Sequence, residues 1–104
     1  MSGDLIALGP GKVDLLESID QEGSISQAAR QSHLSYRRAW DMVDTMNRCF
    51  KKPLVKSATG GKGGGGAELT PLGKKGIVIY REMEKKAGQA TQEEWNSLKE
   101  HLTL

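Results

Sequence analysis

The stretch that decides the fold reads Gly23-Ser-Ile-Ser-Gln-Ala-Ala-Arg-Gln-Ser-His-Leu-Ser-Tyr-Arg-Arg-Ala-Trp40. Either Ser24 or Ser26 can cap a first helix, and Ser35 can cap a second, because serine hydroxyls accept hydrogen bonds from free amides at helix starts. His33 and Leu34 lie between the two segments and form a short turn. Two capped helices joined by a short turn predict a helix-turn-helix.

Apolar residues recur at helical spacing on both sides of this motif. Before it, Pro10 can open a helix that carries Val13, Leu16 and Ile19 on one face and ends at Gly23. The second helix of the motif carries a stripe at the same kind of spacing, formed by Ala39, Val43, Met46 and Phe50. Three helices are therefore expected to share one core.

A glycine-rich hairpin follows the motif. Pro53 ends the third helix, and residues 54–58 and 67–69 have the pattern of two short strands joined by residues 59–66, six of which are glycine. A hairpin directly after such a helix is a wing. The predicted fold class is therefore mainly α with a small β wing, a winged helix-turn-helix. A further short strand is predicted at residues 5–8.

A long helix is predicted after the wing, because Thr70 can cap it and Pro71 suits its first position. Gly88 is expected to end it, and residues 91–94 have the pattern of a capping box that starts another helix. The last apolar positions of the chain are Trp95, Leu98 and Leu102. The long helix carries a seam at coiled-coil spacing, formed by Leu72, Gly76, Ile79 and Met83. An apolar arc this wide predicts packing on the core and on a partner.

Size and composition favour one small cytoplasmic domain. The chain has 104 residues, 37% of them hydrophobic, and its apolar runs are far shorter than the roughly 20 residues that a membrane span needs. It begins without a secretory signal pattern, and its single cysteine, Cys49, cannot form an internal disulfide. We expect Cys49 to be a buried apolar residue at the end of the third helix.

The charge is unevenly distributed although the formal net charge is only +2. Residues 1–23 carry a net charge of −4, residues 24–75 carry +7, and residues 76–104 carry −1. A basic segment between acidic or neutral flanks indicates nucleic-acid binding, although a solvated basic surface gives the same pattern.

Arg37 and Arg38 are the sharpest candidates for contact with DNA, because arginine at the start of a groove-inserted helix can bind a guanine through two hydrogen bonds. Tyr36 can donate to a phosphate, contact a thymine methyl, or be a partly buried turn residue. Trp40 is predicted to be a wedge between the helix and the wing. The residues predicted to bind DNA are Ser24, Ser26, Gln27, Ser35, Tyr36, Arg37, Arg38, Asp41, Gly61, Lys62, Gly63 and Gly64.

Catalysis and cofactor binding are not indicated. Residues 61–66 formally match a dinucleotide-binding glycine pattern, but a strand rather than a helix is predicted after them. One cysteine and two histidines far apart, His33 and His101, do not form a zinc pattern. We therefore expect no catalytic residue, no metal and no cofactor.

The glycine cluster is instead expected to form the tip of the wing. Glycines there let backbone amides approach phosphates, and Lys62 adds a cation.

Three motifs, in this order, resemble the DNA-binding domain of ModE-type molybdate-responsive regulators, itself similar to the LysR type. They lie at residues 23–29, 35–40 and 58–73, and the resemblance extends over residues 5 to 90. It implies a winged helix-turn-helix homodimer whose third helix enters the major groove. It also implies an interface built by the first and the last long helices, at Val13, Leu16, Leu72, Ile79, Tyr80, Met83 and Trp95.

Full-length members of that family carry C-terminal oxyanion-binding domains, and no residue of this chain matches their binding motif. Molybdate is therefore not expected to bind this chain, which is either a stand-alone version or part of a longer protein. The predicted domain covers residues 1–104, with a core at 5–75, a wing at 54–70 and a dimerisation helix at 71–102.

The sequence thus predicts a non-enzymatic, dimeric regulator of transcription that binds a near-palindromic site in double-stranded DNA, with no membrane association. The alternative is a winged-helix adaptor that binds proteins and has lost DNA binding.

Overall fold

The computed structural model describes residues 8–58 and 66–103. The elements in chain order are α1 (Pro10–Glu22), α2 (Ile25–Gln31), α3 (Tyr36–Cys49), β1 (Val55–Ala58), β2 (Gly66–Leu69), α4 (Pro71–Ala90) and α5 (Gln92–Lys99). This is a winged helix-turn-helix, as the sequence predicts. The glycine-rich loop at residues 59–65 and residues 5–7 of the predicted first strand lie outside the described residues. No helix in the described ranges has the length and apolar character to cross a membrane.

Serine caps set the start of both helices of the motif. The Ser24 hydroxyl accepts from the Gln27 amide at 3.0 Å, so Ser24 rather than Ser26 is the cap of α2. The Ser35 hydroxyl accepts from the Arg38 amide at 3.1 Å and caps α3. Between the helices, His33 has a φ of 58°, a left-handed conformation that lets the chain reverse within a few residues.

The core lies between the first three helices and the hairpin, and the buried side chains of the described residues are apolar. Ala28 and Ala29 let α2 approach its neighbours closely, and Leu34 packs against the same core from the turn. The predicted stripe on α3 is confirmed for its three buried residues, and Phe50 is half-buried. The fully or nearly fully buried apolar side chains are those of Val13, Leu15, Leu16, Ile19, Ala28, Ala29, Ala39, Val43, Met46, Leu54, Val55, Ala67 and Leu69.

Cys49 is exposed, so the prediction that it is buried was wrong. The buried stripe of α3 continues from Met46 to Phe50, a full turn further along the helix. Cys49 precedes Phe50 by one residue and is therefore rotated by about 100° away from the stripe.

The wing is an antiparallel pair in which Val55 is opposite Leu69 and Ala58 is opposite Gly66. Each strand differs from its predicted bounds by one residue: β1 begins after Leu54, and β2 includes Gly66. Strand β2 is also attached to the helices, because the Ala67 amide donates to the Gly23 carbonyl at 2.9 Å. The wing is thus hydrogen-bonded to the turn that precedes the helix-turn-helix.

Thr70 joins the start of α4 to the segment before the wing. Its hydroxyl accepts from the Gly73 amide at 3.1 Å and donates to the Pro53 carbonyl at 2.7 Å. Its backbone amide donates to the Leu54 carbonyl at 2.9 Å. Gly73 is buried here, and a Cβ at this position would overlap the Leu54 carbonyl oxygen and lie 3.1 Å from the carbonyl carbon. The close approach of α4 to Leu54 therefore requires glycine.

Helix α4 continues past Gly88 to Ala90, so the predicted end at Gly88 was wrong. The predicted capping box at residues 91–94 was also wrong, because Thr91 does not cap α5 with its side chain. Its hydroxyl donates instead to the carbonyls of Ala87 at 3.0 Å and Gly88 at 3.3 Å, which closes the end of α4. A second helix does begin at Gln92, so residues 71–102 are two helices with a break at Thr91.

Arg81 connects α4 to α1. Its guanidinium contacts Asp14 at 2.7 Å and Glu17 at 2.5 Å on α1, and Glu84 at 2.8 Å one turn along α4. Hydrogen bonds that the guanidinium donates to Glu17 first, then to Glu84 and Asp14, raise the pKa of Arg81 above its usual value. The side chain is 35% exposed, so water and salt screen these ion pairs.

Candidate DNA interface

The start of α3 presents polar side chains away from the core. Ala39 is buried, and Arg37, Arg38 and Asp41 are exposed around it on the helix surface. Because each residue advances an α-helix by about 100°, Arg37 and Asp41 share the side opposite the buried stripe. This side carries groups that can bind base edges, since arginine donates to guanine and aspartate accepts from cytosine.

Arginine side chains in this chain fall into two classes. Arg48 forms an ion pair with Asp44, and Arg81 contacts three carboxylates. Within the described residues, no ion pair involves the other arginines, which are Arg30, Arg37 and Arg38. These guanidinium groups all lie on the helix-turn-helix. Their charge is therefore not neutralised within the described part of the chain.

The other predicted contact residues fall into three groups: serines that cap helices, exposed residues of α2, and residues outside the described ranges. Ser24 and Ser35 use their hydroxyls to cap helices, so each can act on DNA mainly by positioning its helix. Ser26 and Gln27 are exposed on the first turn of α2. Gly61, Lys62, Gly63 and Gly64 were predicted to contact DNA from the wing tip and lie outside the described residues.

Tyr36 and Trp40 form a pair on the surface of α3. The Trp40 Nε1–H group donates to the Tyr36 hydroxyl at 3.0 Å. Trp40 is 45% exposed and Tyr36 is 55% exposed. That Trp40 is a wedge between helix and wing stays a prediction, because residues 59–65 of the wing lie outside the described residues. Its indole N–H group is hydrogen-bonded to its own helix, and nearly half of its surface remains open.

Asn47 fixes the wing to α3, a role the sequence did not reveal. Its Oδ1 accepts from the amides of Leu54 at 2.8 Å and Val55 at 3.2 Å, and its Nδ2 donates to the Val55 carbonyl at 3.1 Å. All three partners are backbone groups at the start of β1. The amide side chain thus replaces a sheet neighbour and sets where the wing leaves the recognition helix.

The predicted dimer residues do not form one surface. Val13 and Leu16 have no exposed surface, so their prediction as interface residues was wrong: their helical periodicity reflects burial inside the subunit. Leu72 and Tyr80 are half-buried on α4. Exposed apolar side chains on the two last helices and just after them include three residues that were not predicted as interface residues, Val78, Leu98 and Leu102. The full set is Val78, Ile79, Met83, Trp95, Leu98 and Leu102, exposed by 47–69%.

Comparison with known proteins identifies the family to which this chain belongs. The model of the bacterial regulatory helix-turn-helix proteins of the lysR family matches residues 11–74. The molybdenum transport protein ModE of Azotobacter vinelandii is 46% identical over 78 residues, which cover 75% of this chain and 29% of that protein. The molybdenum-pterin-binding protein MopB of Rhodobacter capsulatus is 51% identical over 77 residues, covering 74% of this chain and 28% of that protein.

The DNA-binding transcriptional dual regulator ModE of Escherichia coli K12 is 48% identical over 71 residues, covering 68% of this chain and 27% of the regulator. The chain thus spans less than a third of the length of these relatives. The family match covers more than half of the chain and includes α2, α3 and the wing strands. The protein therefore belongs to the lysR family of bacterial regulatory helix-turn-helix proteins, and its DNA-binding domain is of the ModE type.

Proposed function

We propose that this chain binds double-stranded DNA in a sequence-specific manner and regulates transcription, as a dimer on a near-palindromic operator. The observation that carries the proposal is the pair Arg37 and Arg38. Both are exposed at the start of α3, neither takes part in an ion pair within the described residues, and both lie inside the region that matches the lysR family. A regulator of this kind acts on the chromosome, which agrees with the expected cytoplasmic location.

The two arginines have different proposed roles because they lie on different sides of α3. Arg37 shares the outward side with Asp41, which faces base edges when the helix lies in the major groove. Arg38 is rotated by about 100° from Arg37, toward a groove wall. We assign base recognition to Arg37 and phosphate binding to Arg38, since phosphate contacts orient a protein and base contacts specify the sequence.

The wing supplies a second contact. Strands β1 and β2 are attached to α3 through Asn47 and to the preceding turn through the Gly23 carbonyl. Because the two strands are fixed to the helices, we expect the glycine-rich residues between them to bind along the DNA backbone. Lys62, and the backbone amides of Gly61, Gly63 and Gly64, are the groups we propose to contact phosphates there.

The C-terminal helices are the proposed dimer surface. Ile79 and Met83 are exposed one turn apart on α4 and border a groove of about 240 Å³. Apart from Lys75, its lining is apolar: Leu8, Phe50, Leu54, Leu72, Gly76, Ile79, Tyr80 and Met83. A second copy of α4 and α5 would cover this surface with its own apolar residues. Two recognition helices in successive major grooves then require half-sites about 34–36 Å apart.

Molybdate is not part of the proposal for this chain. Two of the relatives have molybdenum in their names, but the matched region is less than a third of each. The adaptor alternative would need a surface for a protein partner in place of DNA, and the unneutralised arginines of the helix-turn-helix favour a polyanion instead.

The experiment is selection of bound duplexes from fragmented genomic DNA at physiological salt, followed by titration of the selected duplex. Arg37→Ala should weaken binding to the selected duplex by about 10–100-fold and relax the base preference at one position of each half-site. Lys62→Ala should weaken binding to all duplexes and reduce the salt dependence by about one counterion per chain. Lys85→Ala, which removes a charge from α4, is the control.

Enrichment of no sequence, together with titrations that are insensitive to salt, would contradict DNA recognition and favour the adaptor. Equal affinity of the parent and the Arg37→Ala variant for the selected duplex would remove Arg37 from the interface while leaving the function in place.

A further inference from the structure

Two exposed aromatic side chains on α3 are not explained by dimerisation. Eight large apolar residues are exposed among the described residues, and six of them belong to α4, α5 and the segment after them. The other two are Tyr36 and Trp40, at the start of the recognition helix. They are one helical turn apart and joined by a hydrogen bond of 3.0 Å.

The direction of this hydrogen bond determines what the tyrosine can still do. An indole N–H group can only donate, so the Tyr36 oxygen is the acceptor. The hydroxyl hydrogen then points away from the indole, and no acceptor for it is found among the described residues. An O–H group that already accepts a hydrogen bond is also polarised and donates more strongly. The pair therefore presents one oriented donor to the outside.

The position of the pair on the helix circumference indicates which part of DNA it faces. Ala39, Trp40 and Asp41 follow one another at steps of about 100°, from the buried side through the flank to the outward side. Trp40 and Tyr36 are thus on a flank of α3. When a helix lies in the major groove, its outward side faces the bases and its flanks face the groove walls, which are sugar and phosphate.

We infer that Trp40 is a positioning residue that orients the Tyr36 hydroxyl toward one phosphate oxygen on the wall of the major groove. This inference rests on the proposed function, because it assumes that α3 enters the groove. Its role is to fix the register of the helix, so that Arg37 meets the same base pair in every complex. The alternative occupant of this flank, a thymine methyl group, is an outcome of the test.

The test titrates the duplex selected by the parent chain with Tyr36→Phe, Trp40→Phe and the double variant. Tyr36→Phe removes the donor, and we expect it to weaken binding by about tenfold, as for loss of a hydrogen bond to a charged group. Trp40→Phe keeps an aromatic ring but loses the N–H group, and we expect most of the same loss. The double variant should bind no more weakly than Tyr36→Phe, because both changes remove one contact.

Salt dependence separates this contact from those of the cations. A neutral hydroxyl releases no counterion, so the slope of affinity against salt should equal that of the parent in both variants. Arg38→Ala, in contrast, should reduce the slope by about one counterion. Thermal unfolding should be unchanged in Tyr36→Phe and Trp40→Phe, since both side chains are about half exposed.

The phosphate is located by replacing the phosphates of the duplex one at a time with methylphosphonate. At one position, the replacement should weaken binding of the parent and leave the affinity of Tyr36→Phe unchanged. Additive losses in the double variant, or a Trp40→Phe variant equal to the parent, would overturn the role of Trp40. If the parent loses affinity when one thymine is replaced by uracil, and Tyr36→Phe binds the unmodified duplex as tightly as the parent does, a methyl contact replaces the phosphate contact. In all these outcomes the parent still binds its duplex, so the proposed function fails only if the parent does not.

Discussion

Residues 10–73 enclose most of their large apolar side chains, whereas residues 74–103, the C-terminal arm, carry most of theirs on the outside. Every residue that is buried in the described ranges lies at or before Gly73. In the C-terminal arm, the large apolar side chains of Val78, Met83 and Leu98 are 59–69% exposed. The first region therefore has a core of its own, whereas in the second Ile77 packs against that core and most other large apolar side chains are left for contact with another molecule.

The same boundary appears in the comparison with known proteins. The family match ends at residue 74, next to the last buried residue. Helix α4 begins inside the packed region, where Thr70 caps it and Gly73 lies against Leu54. The C-terminal arm contacts that region through Ile77, which packs against the core, and through Arg81. Four substitutions test this division, from the largest expected effect to the smallest.

Gly73→Ala should cause the largest loss. The added Cβ would overlap the Leu54 carbonyl oxygen, and backbone cannot move aside as a flexible side chain can. We expect the free energy of unfolding to fall by about 3 kcal/mol or more, measured by chemical denaturation at fixed protein concentration. Gly88→Ala is the matched control, because no atom lies within 4 Å of a Cβ at Gly88. In that helix interior the change should stabilise by about 0.5–1 kcal/mol. Equal effects at the two glycines would contradict the close contact.

Asn47→Leu tests the attachment of the wing to the packed region. It removes three hydrogen bonds and leaves two amides and one carbonyl at the start of β1 without their partner. We expect a loss of about 2–3 kcal/mol in the free energy of unfolding. Amide hydrogen exchange of Leu54 and Val55 should be faster. The control is Asn96→Ala in the C-terminal arm, whose side chain accepts one exposed hydrogen bond from Gln92. If the amides of Leu54 and Val55 stay protected in Asn47→Leu, other contacts hold β1.

These residues show which parts of the fold could be predicted from sequence. Ser35 and Thr70 were predictable as caps because each hydroxyl bonds an amide only three residues away. Asn47 was not, since its partners are seven and eight residues further along the chain, beyond the end of α3. Local pattern rules contain no information on which distant backbone groups an amide side chain will reach.

The errors in the predicted interface have a related cause. The resemblance implies an interface on the first helix, and helical periodicity identifies the apolar face of that helix but not the surface that covers it. Val13 and Leu16 were therefore placed between subunits although their own chain encloses them. The arginines of α3 could be predicted as exposed from the cap and the stripe together. Whether they bind DNA remains a prediction, because burial and ion pairing describe the free chain.

Ile79→Glu tests whether the C-terminal arm is an interface between copies. The side chain is 49% exposed and borders the apolar groove, so a carboxylate there should leave the fold of each subunit intact. We expect the dimer dissociation constant to rise by about 30-fold or more, because a carboxylate would lose its hydration at an interface that is apolar apart from Lys75. Sedimentation equilibrium measures this, and Lys86→Glu, on the same helix outside that groove, controls for added negative charge. A parent chain that is monomeric at micromolar concentration would contradict the proposed dimer.

Arg81→Gln should have the smallest effect of the four substitutions. Among the described side chains, Arg81 forms the ion pairs that connect the C-terminal arm to residues 10–73. Its guanidinium neutralises Asp14 and Glu17 on α1, but the group is 35% exposed, so we expect a loss of only about 1 kcal/mol in the free energy of unfolding. The loss should shrink in 1 M salt, where the screening length falls to about 3 Å. Arg48→Gln removes a more exposed pair within α3 alone and should cost less. If the loss of stability in Arg81→Gln is the same at low and at high salt, then Arg81 contributes through packing of its aliphatic stem. In that case α4 is held to α1 by apolar contact rather than by charge.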